Sequence, residues 1–498
     1  LWKLAKSYIN TADITRPGNG KGLKMSNANL TRWPRDVRHI HLIAICGTAM
    51  GALACLLKES GFSVTGSDQH VYPPMSDFLR QSGIRLFEGF GPENLASAPD
   101  LVVVGNAVSR DNPEVQAMMD MGIPYCSMPQ AINRFASAGK RQIVVTGTHG
   151  KTTTSSFIAW MLTCAGLDPS FLIGGIVSNF DSNYRVGQGT HMVLEGDEYD
   201  TAFFDKGPKF LHYTPELAVL TSVEFDHADI FTDLEHIKST FGQLIQNMPT
   251  ASVLMAFDQD ANIDEILAQA NCRTQRYGHR PNSQWRLGRV KIAPPYTRFE
   301  VVHGDDLWGD FRTRMIGRHN LWNLLAGIAV GAQIGVSPQM VSHALETFKG
   351  VRRRQEIRGV KNGVTVMDDF AHHPTAVVET INAIKSFYER QRVIAVFEPR
   401  TNSSRRNVFQ SQYAAAFDRA DMVCIRQPPL LEKIPPEQRF SSEQLVADLK
   451  ARGKAAVYFS DTETIIDFLL SESRRGDVLL VMSNGGFDNI HARLLEKL

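Results

Sequence analysis

A lysine and a threonine closing a short glycine-bearing turn are the residues whose spacing most directly implies chemistry. Ile143-Val144-Val145 is apolar and β-prone, the turn reads Gly147-Thr148-His149-Gly150-Lys151-Thr152, and Thr153 to Leu162 continue with helical periodicity. Strand, turn and helix in that order make a phosphate cradle. Glycines let backbone N–H groups point at phosphate oxygens, and the helix N-terminus adds positive dipole. Lys151 is placed to reach β- and γ-phosphates, and the Thr152 hydroxyl to sit on Mg²⁺. Gly147, Thr148, His149, Gly150 and Thr153 complete the expected nucleotide-contacting set. The spacing departs from the common phosphate loop, since only Thr148 and His149 separate the two glycines. The competing reading is a tight strand-to-helix turn with a surface lysine.

Two acidic clusters follow. HMVLEGDEYD reads as a strand ending in Glu195, with Asp197, Glu198 and Asp200 behind it; LAVLTSVEFDHAD reads as a strand ending in Glu224, Asp226 and His227. In an open parallel sheet, ligands lie beyond the carboxyl ends of the strands, so both clusters are expected to face the phosphates. Mg²⁺ takes a few oxygen ligands beside phosphate and water. Glu195 is the expected first ligand, Thr152 another, and His227 a softer third. The alternative is a set of solvated loop acids and a capping histidine.

A second turn, Cys46-Gly47-Thr48-Ala49-Met50-Gly51, lies between strand HIHLIAI and helix ALACLLKES, and the next strand ends at Asp68. The dinucleotide fingerprint would place glycines where Ile45 and Met50 stand, which disfavours a dehydrogenase. A nucleotide diphosphate over Gly47, Thr48, Met50 and Gly51, with Asp68 behind, fits the turn; a purely structural turn is the alternative. Further on, Asn320 and Asn323 share a helical face, with capping the bland role for Asn320. Gly350 to Arg354 reads GVRRR, either a solvated face or a source of transition-state charge beside phosphates. Asp369 stands at a strand end and can meet a ribose. Arg400, Asn402 and Arg405 follow another strand and can hold a carboxylate.

These residues need α/β units to position them. A chain of 498 residues suits about three domains. Residues 1–38 lack periodicity and read as a mobile extension. Residues 39–139 read as a Rossmann-like domain, and 140–349 as a central phosphate-loop domain with a mostly parallel sheet and an antiparallel addition over Gln275 to Phe311. Residues 350–498 read as a second Rossmann-like α/β domain. The formal net charge of +1 offers no electrostatic footprint for nucleic acid. Six widely spaced cysteines without a C-x-x-C pair read as reduced thiols. No apolar run approaches a membrane span.

TGTHGKTTT, the strand-end Glu195, EFDH, GRHNLWN, GVRRR and DDFAHHPT occur in one order along the chain. In this the sequence resembles the Mur ligase family from about His39 to the C-terminus. The resemblance implies a cytoplasmic, ATP-dependent enzyme forming an amide on a UDP-linked muramyl substrate. Its three domains would hold UDP-N-acetylmuramate, ATP with Mg²⁺, and the incoming amine. It further implies adenine-side contacts from His319 and Asn323, a phosphate contact from Arg354 and a ribose contact from Asp369. Glu195, His227 and Thr152 would be the metal ligands, and Gly47 to Gly51 with Asp68 the UDP site. Within the family, the stretches SDQHVYPPMS, EGDEYDTAFFDKGPKF and FEPRTNSS look like the branch that adds a murein tripeptide in peptidoglycan recycling. The alternative is the branch that adds L-alanine. Lys151, Arg354 and His372 are the expected catalytic residues, with His372 deprotonating or orienting the amine, or else merely starting a helix. Arg400, Asn402 and Arg405 are the expected peptide contacts, and a monomer or weak dimer is expected. From another class, a nucleotide-binding regulator without ligase activity remains open; dependence of ATP turnover on a UDP-muramyl substrate separates the two.

Overall fold

The computed structural model describes residues 33–498 apart from 73–74 and 229. Most of the expected N-terminal extension, residues 1–32, lies outside the described residues. Its last residues do not behave as a tail. Trp33 meets Phe135 edge to face at 5.9 Å, and Trp33 and Val37 pack on the first domain's core.

Three α/β domains follow. The first has a five-stranded parallel sheet ordered Arg85–Glu88, Ser63–Asp68, His39–Ile43, Leu101–Val104, Tyr125–Ser127. The chain starts in the middle and winds outward both ways. Beyond His39–Ile43 and Leu101–Val104 the neighbouring connections therefore diverge, leaving a crevice for a ligand. The helix Thr48–Glu59 starts at this crevice and is buried along Met50–Leu57.

The central sheet has ten strands. Its parallel core includes Val253–Phe257, Leu217–Leu220, Arg141–Thr146, His191–Gly196 and Ser170–Val177, in that order. The expected antiparallel addition is present as Trp285–Ala293, Tyr296–His303 and Asp306–Thr313. The phosphate-loop helix Lys151–Cys164 lies against Arg318–Ile334. Close approach is possible because a Cβ at Gly327 would come within 2.6 Å of Phe157, and one at Gly331 within 2.6 Å of Met161. Each large side chain buried along this seam contributes roughly 1.5–3 kcal/mol.

One strand end matches the sequence reading to within a residue and one differs. HMVLEG ends at Gly196, and Asp200–Ala202 starts a separate antiparallel ribbon with Asp205–Pro208. LAVL ends at Leu220, well before Glu224. Residues 221–224 leave the sheet because the phosphate loop competes for their polar groups. Thr148 N–H donates to Ser222 O (2.9 Å), His149 N–H to Ser222 Oγ (2.9 Å) and Glu224 N–H to Thr148 Oγ1 (2.9 Å).

The third sheet runs Glu356–Lys361, Val364–Asp369, Val478–Met482, Val393–Phe397, Met422–Arg426, Ala455–Phe459, parallel except for the first hairpin. The edge strands Glu356–Lys361 and Ala455–Phe459 were not anticipated. Gly350 to Arg352 still belong to the central domain. Ser178 N–H donates to Gly350 O, Arg352 N–H donates to Ile176 O, both at 3.0 Å, and Val351 bridges Val177. The passage to the third domain therefore falls at Arg353, not before Gly350.

Candidate active site

The phosphate loop forms as its residues dictate. Gly147 and Gly150 take φ of 123° and 83°, in the region glycine favours. A Cβ at Gly150 would also lie 2.3 Å from Asn323 Oδ1. Asn323 thus touches the loop directly, and His319 stands one turn earlier on the same helix. Asn320 caps nothing: Gly317 is the N-cap residue, and buried Asn320 donates from Nδ2 to Ile316 O at 2.8 Å and meets Asn323 at 3.4 Å. His319 Nε2 is 3.3 Å from the Gln355 amide and Nδ1 3.6 Å from Glu379, which ties the helix to the third domain.

Lys151 donates to Gly147 O (2.6 Å), Thr148 O (3.1 Å) and Glu198 Oε1 (2.9 Å). Burial works against its charge, but Glu198, with Glu195 and Asp197 behind it, holds the ammonium's pKa above the usual lysine value. Thr152 Oγ1 donates to Glu195 Oε1 at 3.0 Å, and Gly174 N–H fixes Glu195 Oε2 at 2.8 Å. Thr153, one residue on, is buried in the helix. A hydroxyl and a carboxylate side by side at a phosphate loop are hard oxygen donors and suit Mg²⁺. His227 has φ of 56°, packs its ring on Tyr199 at 4.3 Å, and lies near Glu198 and Asp226. It supplies a nitrogen donor on the other acidic segment.

Sequence reasoning missed a second cluster at the seam with the third domain. Glu224 accepts from Thr375 Oγ1 at 2.6 Å and lies 3.5 Å from His149 Nε2 and 3.8 Å from His373 Nδ1. Burial would raise its pKa; His149, Thr375 and His373 outweigh that and hold it at about 2. Burial, helped by His149, pushes His373 down to about 4. The signal was present as EFDH and HHPT, but nothing in their spacing says that they meet. His372 Nδ1 faces Phe370 O at 3.0 Å. A carbonyl only accepts, so Nδ1 carries the proton and Nε2, 3.9 Å from Asp226, is the basic atom. Burial depresses this histidine's pKa.

Arg354 lies over the Phe370 ring at 4.7 Å, within electrostatic reach of Asp369 and Glu195, with burial as the dominant influence lowering its pKa. The Asp369 carboxylate is taken up by the Gln355 and Ala371 amides, each at 2.8 Å, so it braces the hinge whatever else it meets. Arg400 lies 3.6 Å from buried Glu398, and Arg405 donates to Asn402 Oδ1 at 2.8 Å. These residues form a loop beyond Val393–Phe397, beside Ser403, which accepts from Ala228 N–H at 3.3 Å.

The first domain's crevice is a cavity of about 190 Å³. Gly47, Thr48, Met50 and Asn106 line one side, and Thr201 and Lys209 of the central domain the other. Gly51 packs against Met75, and Asp68 Oδ2 accepts from Cys46 N–H at 2.9 Å, so both shape the turn from behind.

This arrangement, a phosphate loop between two further α/β domains with a charged hinge, defines a class. The chain matches the Mur ligase family, catalytic domain, over residues 39–140, the Mur ligase middle domain over 145–331, and the Mur ligase, glutamate ligase domain, over 353–485. It belongs to the Mur ligase family and is an ATP-using ligase that forms carbon–nitrogen bonds. It is 39% identical over 460 residues to the UDP-N-acetylmuramate–L-alanyl-γ-D-glutamyl-meso-2,6-diaminoheptandioate ligase of Escherichia coli K12, covering 92% of this chain and 98% of that one. A UDP-N-acetylmuramate–L-alanine ligase from Alkaliphilus metalliredigens is 32% identical, covering 90% and 95%. Among solved structures, a murein peptide ligase from Psychrobacter arcticus aligns with TM-score 0.68 and 34% identity, covering 92% and 98%. Among the described residues no helix is long and apolar enough to cross a membrane.

Proposed function

We propose that this protein joins the carboxylate of UDP-N-acetylmuramate to the free amine of L-alanyl-γ-D-glutamyl-meso-diaminopimelate, using ATP and Mg²⁺, in the cytoplasm during peptidoglycan recycling. One observation carries the choice of acceptor. Identity to the tripeptide-adding relative is 39% over nearly its whole length, against 30–34% for alanine-adding ones.

The muramyl carboxylate attacks the γ-phosphorus of ATP, giving an acyl phosphate and ADP. The amine then attacks the acyl carbon, and phosphate leaves. Lys151 balances charge on the transferring phosphoryl group after exchanging loop carbonyls for phosphate oxygens, and Arg354 adds charge from the hinge. Thr152 and Glu195, with His227, would hold Mg²⁺, which supplies further neutralisation of phosphate charge. His319 and Asn323 face the adenine side, and Asp369 the ribose. His372 Nε2 takes the proton that the attacking amine loses. A peptide amine has a pKa near 7.7–8.0, so part of it is already neutral at pH 7. Arg400, Asn402 and Arg405 offer a forked cation and an amide for the tripeptide's carboxylates. Closure of the third domain over Glu224 excludes water from the acyl phosphate.

The test is phosphate release from ATP with UDP-N-acetylmuramate, comparing the tripeptide with L-alanine as acceptor. Turnover with the tripeptide and little with alanine is expected; the reverse result makes the protein an alanine-adding ligase. ATP hydrolysis indifferent to the UDP-muramyl substrate would favour a regulator.

A further inference from the structure

We propose that the ammonium of Lys209 binds the diphosphate of the nucleotide-sugar substrate, carried into the first domain's cleft by the ribbon of the central domain; this rests on the ligase reading above.

Among the described residues, Lys209 is the one charged side chain lining the cavity at Gly47–Met50. The Gly47 turn brings backbone N–H groups there but no cation of its own: the first turn of its helix is Thr48-Ala49-Met50-Gly51. A diphosphate seated on amides alone lacks a counter-charge, and Lys209 is in place to supply one.

Its placement is fixed from two sides. The ribbon Asp200–Ala202 and Asp205–Pro208 ends one residue before Lys209. This ribbon is fastened to the first domain: Phe204 meets Tyr125 edge to face at 4.9 Å, and Ser127 Oγ donates to Asp205 Oδ2 at 3.2 Å. From the other side Asp197 Oδ2 holds the ammonium at 2.6 Å.

Pairing with Asp197 does not exhaust this lysine. The Asp197 side chain is 33% exposed and the Lys209 side chain 11%. Against the opposing effect of burial, Lys209 holds the Asp197 carboxyl below the usual carboxylate range, and this pairing uses one face of the ammonium. An ammonium has three donors, and among the described residues Asp197 is its hydrogen-bond partner. The remaining donors suit the oxygens of an anion in the cavity.

The test is calorimetric binding of UDP-N-acetylmuramate, of UDP-N-acetylglucosamine, which lacks the lactoyl carboxylate, and of ADP, to the full chain and to K209M, K209R and the double variant K209M/D197N. A charge-assisted contact implies about tenfold or greater loss for both UDP compounds in K209M. K209R should recover part of it, and ADP binding should be unchanged. The double variant leaves no unpaired carboxylate at 197, so it guards against misfolding, and it should stay weak. Wild-type affinity for both UDP compounds in K209M or in the double variant overturns the proposal. Loss confined to UDP-N-acetylmuramate also overturns it, because the lysine would then meet the lactoyl carboxylate. A wild-type protein that binds neither UDP compound while binding ADP removes the ligase reading, and this site with it.

Discussion

Two glycine-bearing turns, Gly147–Thr152 and Gly47–Gly51, each join a central parallel strand to a helix, yet they are equipped differently. The first carries its own cation, Lys151, on the helix it opens. The second has none and faces Lys209, which comes from another domain. Both lysines are held by neighbouring carboxylates of one segment, Lys151 by Glu198 and Lys209 by Asp197. Anion binding needs a turn and a counter-charge, but only one of the two turns keeps them contiguous in sequence. The segment at 197–198 therefore spaces the two proposed anion sites relative to each other.

The largest effect should come from removing the built-in cation. Lys151→Ala is expected to lower the rate of acyl phosphate formation by about 10²–10³-fold or more, the scale of losing one preorganised charge at a developing anion. Single-turnover phosphate transfer checks it, and near-wild-type ligation would remove the loop from the mechanism. Binding of UDP-N-acetylmuramate without ATP should survive this substitution, because that site draws its charge elsewhere.

The turns themselves should also respond unequally. Gly150→Ala places a side chain at φ of 83° and 2.3 Å from Asn323 Oδ1. It should abolish measurable ADP binding or force Asn323 away. Gly47 has φ of −66°, and an added Cβ would find nothing closer than Ala44 O at 3.8 Å. Gly47→Ala should fold normally and weaken UDP-substrate binding by no more than a few-fold. Equal sensitivity in the two binding assays would break the contrast.

The carboxylate holders sharpen it further. Glu198 is nearly sealed, so Glu198→Gln leaves a buried ammonium poorly balanced and should cost about 3 kcal/mol of stability. Asp197 is a third exposed, and Asp197→Asn should cost about 1 kcal/mol or less. Denaturant melts of the two variants read the difference directly.

How much was legible in the sequence follows the same division. The phosphate loop and the βα order of the domains could be read because their residues are local: a period of two or 3.6 and a turn between. Thr152 and Glu195, 43 residues apart, were paired only through the rule that ligands lie beyond the carboxyl ends of parallel strands. Lys209 could not, since its significance depends on Phe204 and Asp205 docking onto Tyr125 and Ser127 far upstream. Glu224 was seen as an acid facing phosphates, but Thr375 and His373 reach it across a domain seam. The strand reading over 221–227 failed for a physical reason: Thr148 and His149 take the polar groups that a longer strand would have used. Long-range hydrogen bonds carry no periodicity.

A further effect concerns pH, and again the two sites should part. The phosphate-loop side meets the third domain through titrating groups, whereas among the described residues no histidine lines the first domain's cleft. His373 has a folded pKa of about 4 against 6.5 in the reference state. Glu224 has one of about 2 against 4.5. In each case the folded value is the lower, so between the two values the unfolded or opened state binds more protons, and stability falls as pH falls. His373 acts first, with loss beginning near pH 6.5 and reaching on the order of 1–2 kcal/mol by pH 5. Glu224 adds its share below about 4.5. Single-turnover phosphate transfer should therefore slow as pH drops from 6.5 to 5, while UDP-N-acetylmuramate affinity stays nearly flat over that range. His373→Gln should flatten the first profile and leave the second alone. A parallel decline in both would mean that acid loosens the whole fold, and the seam at Glu224 would lose its claim to be the pH-sensitive element.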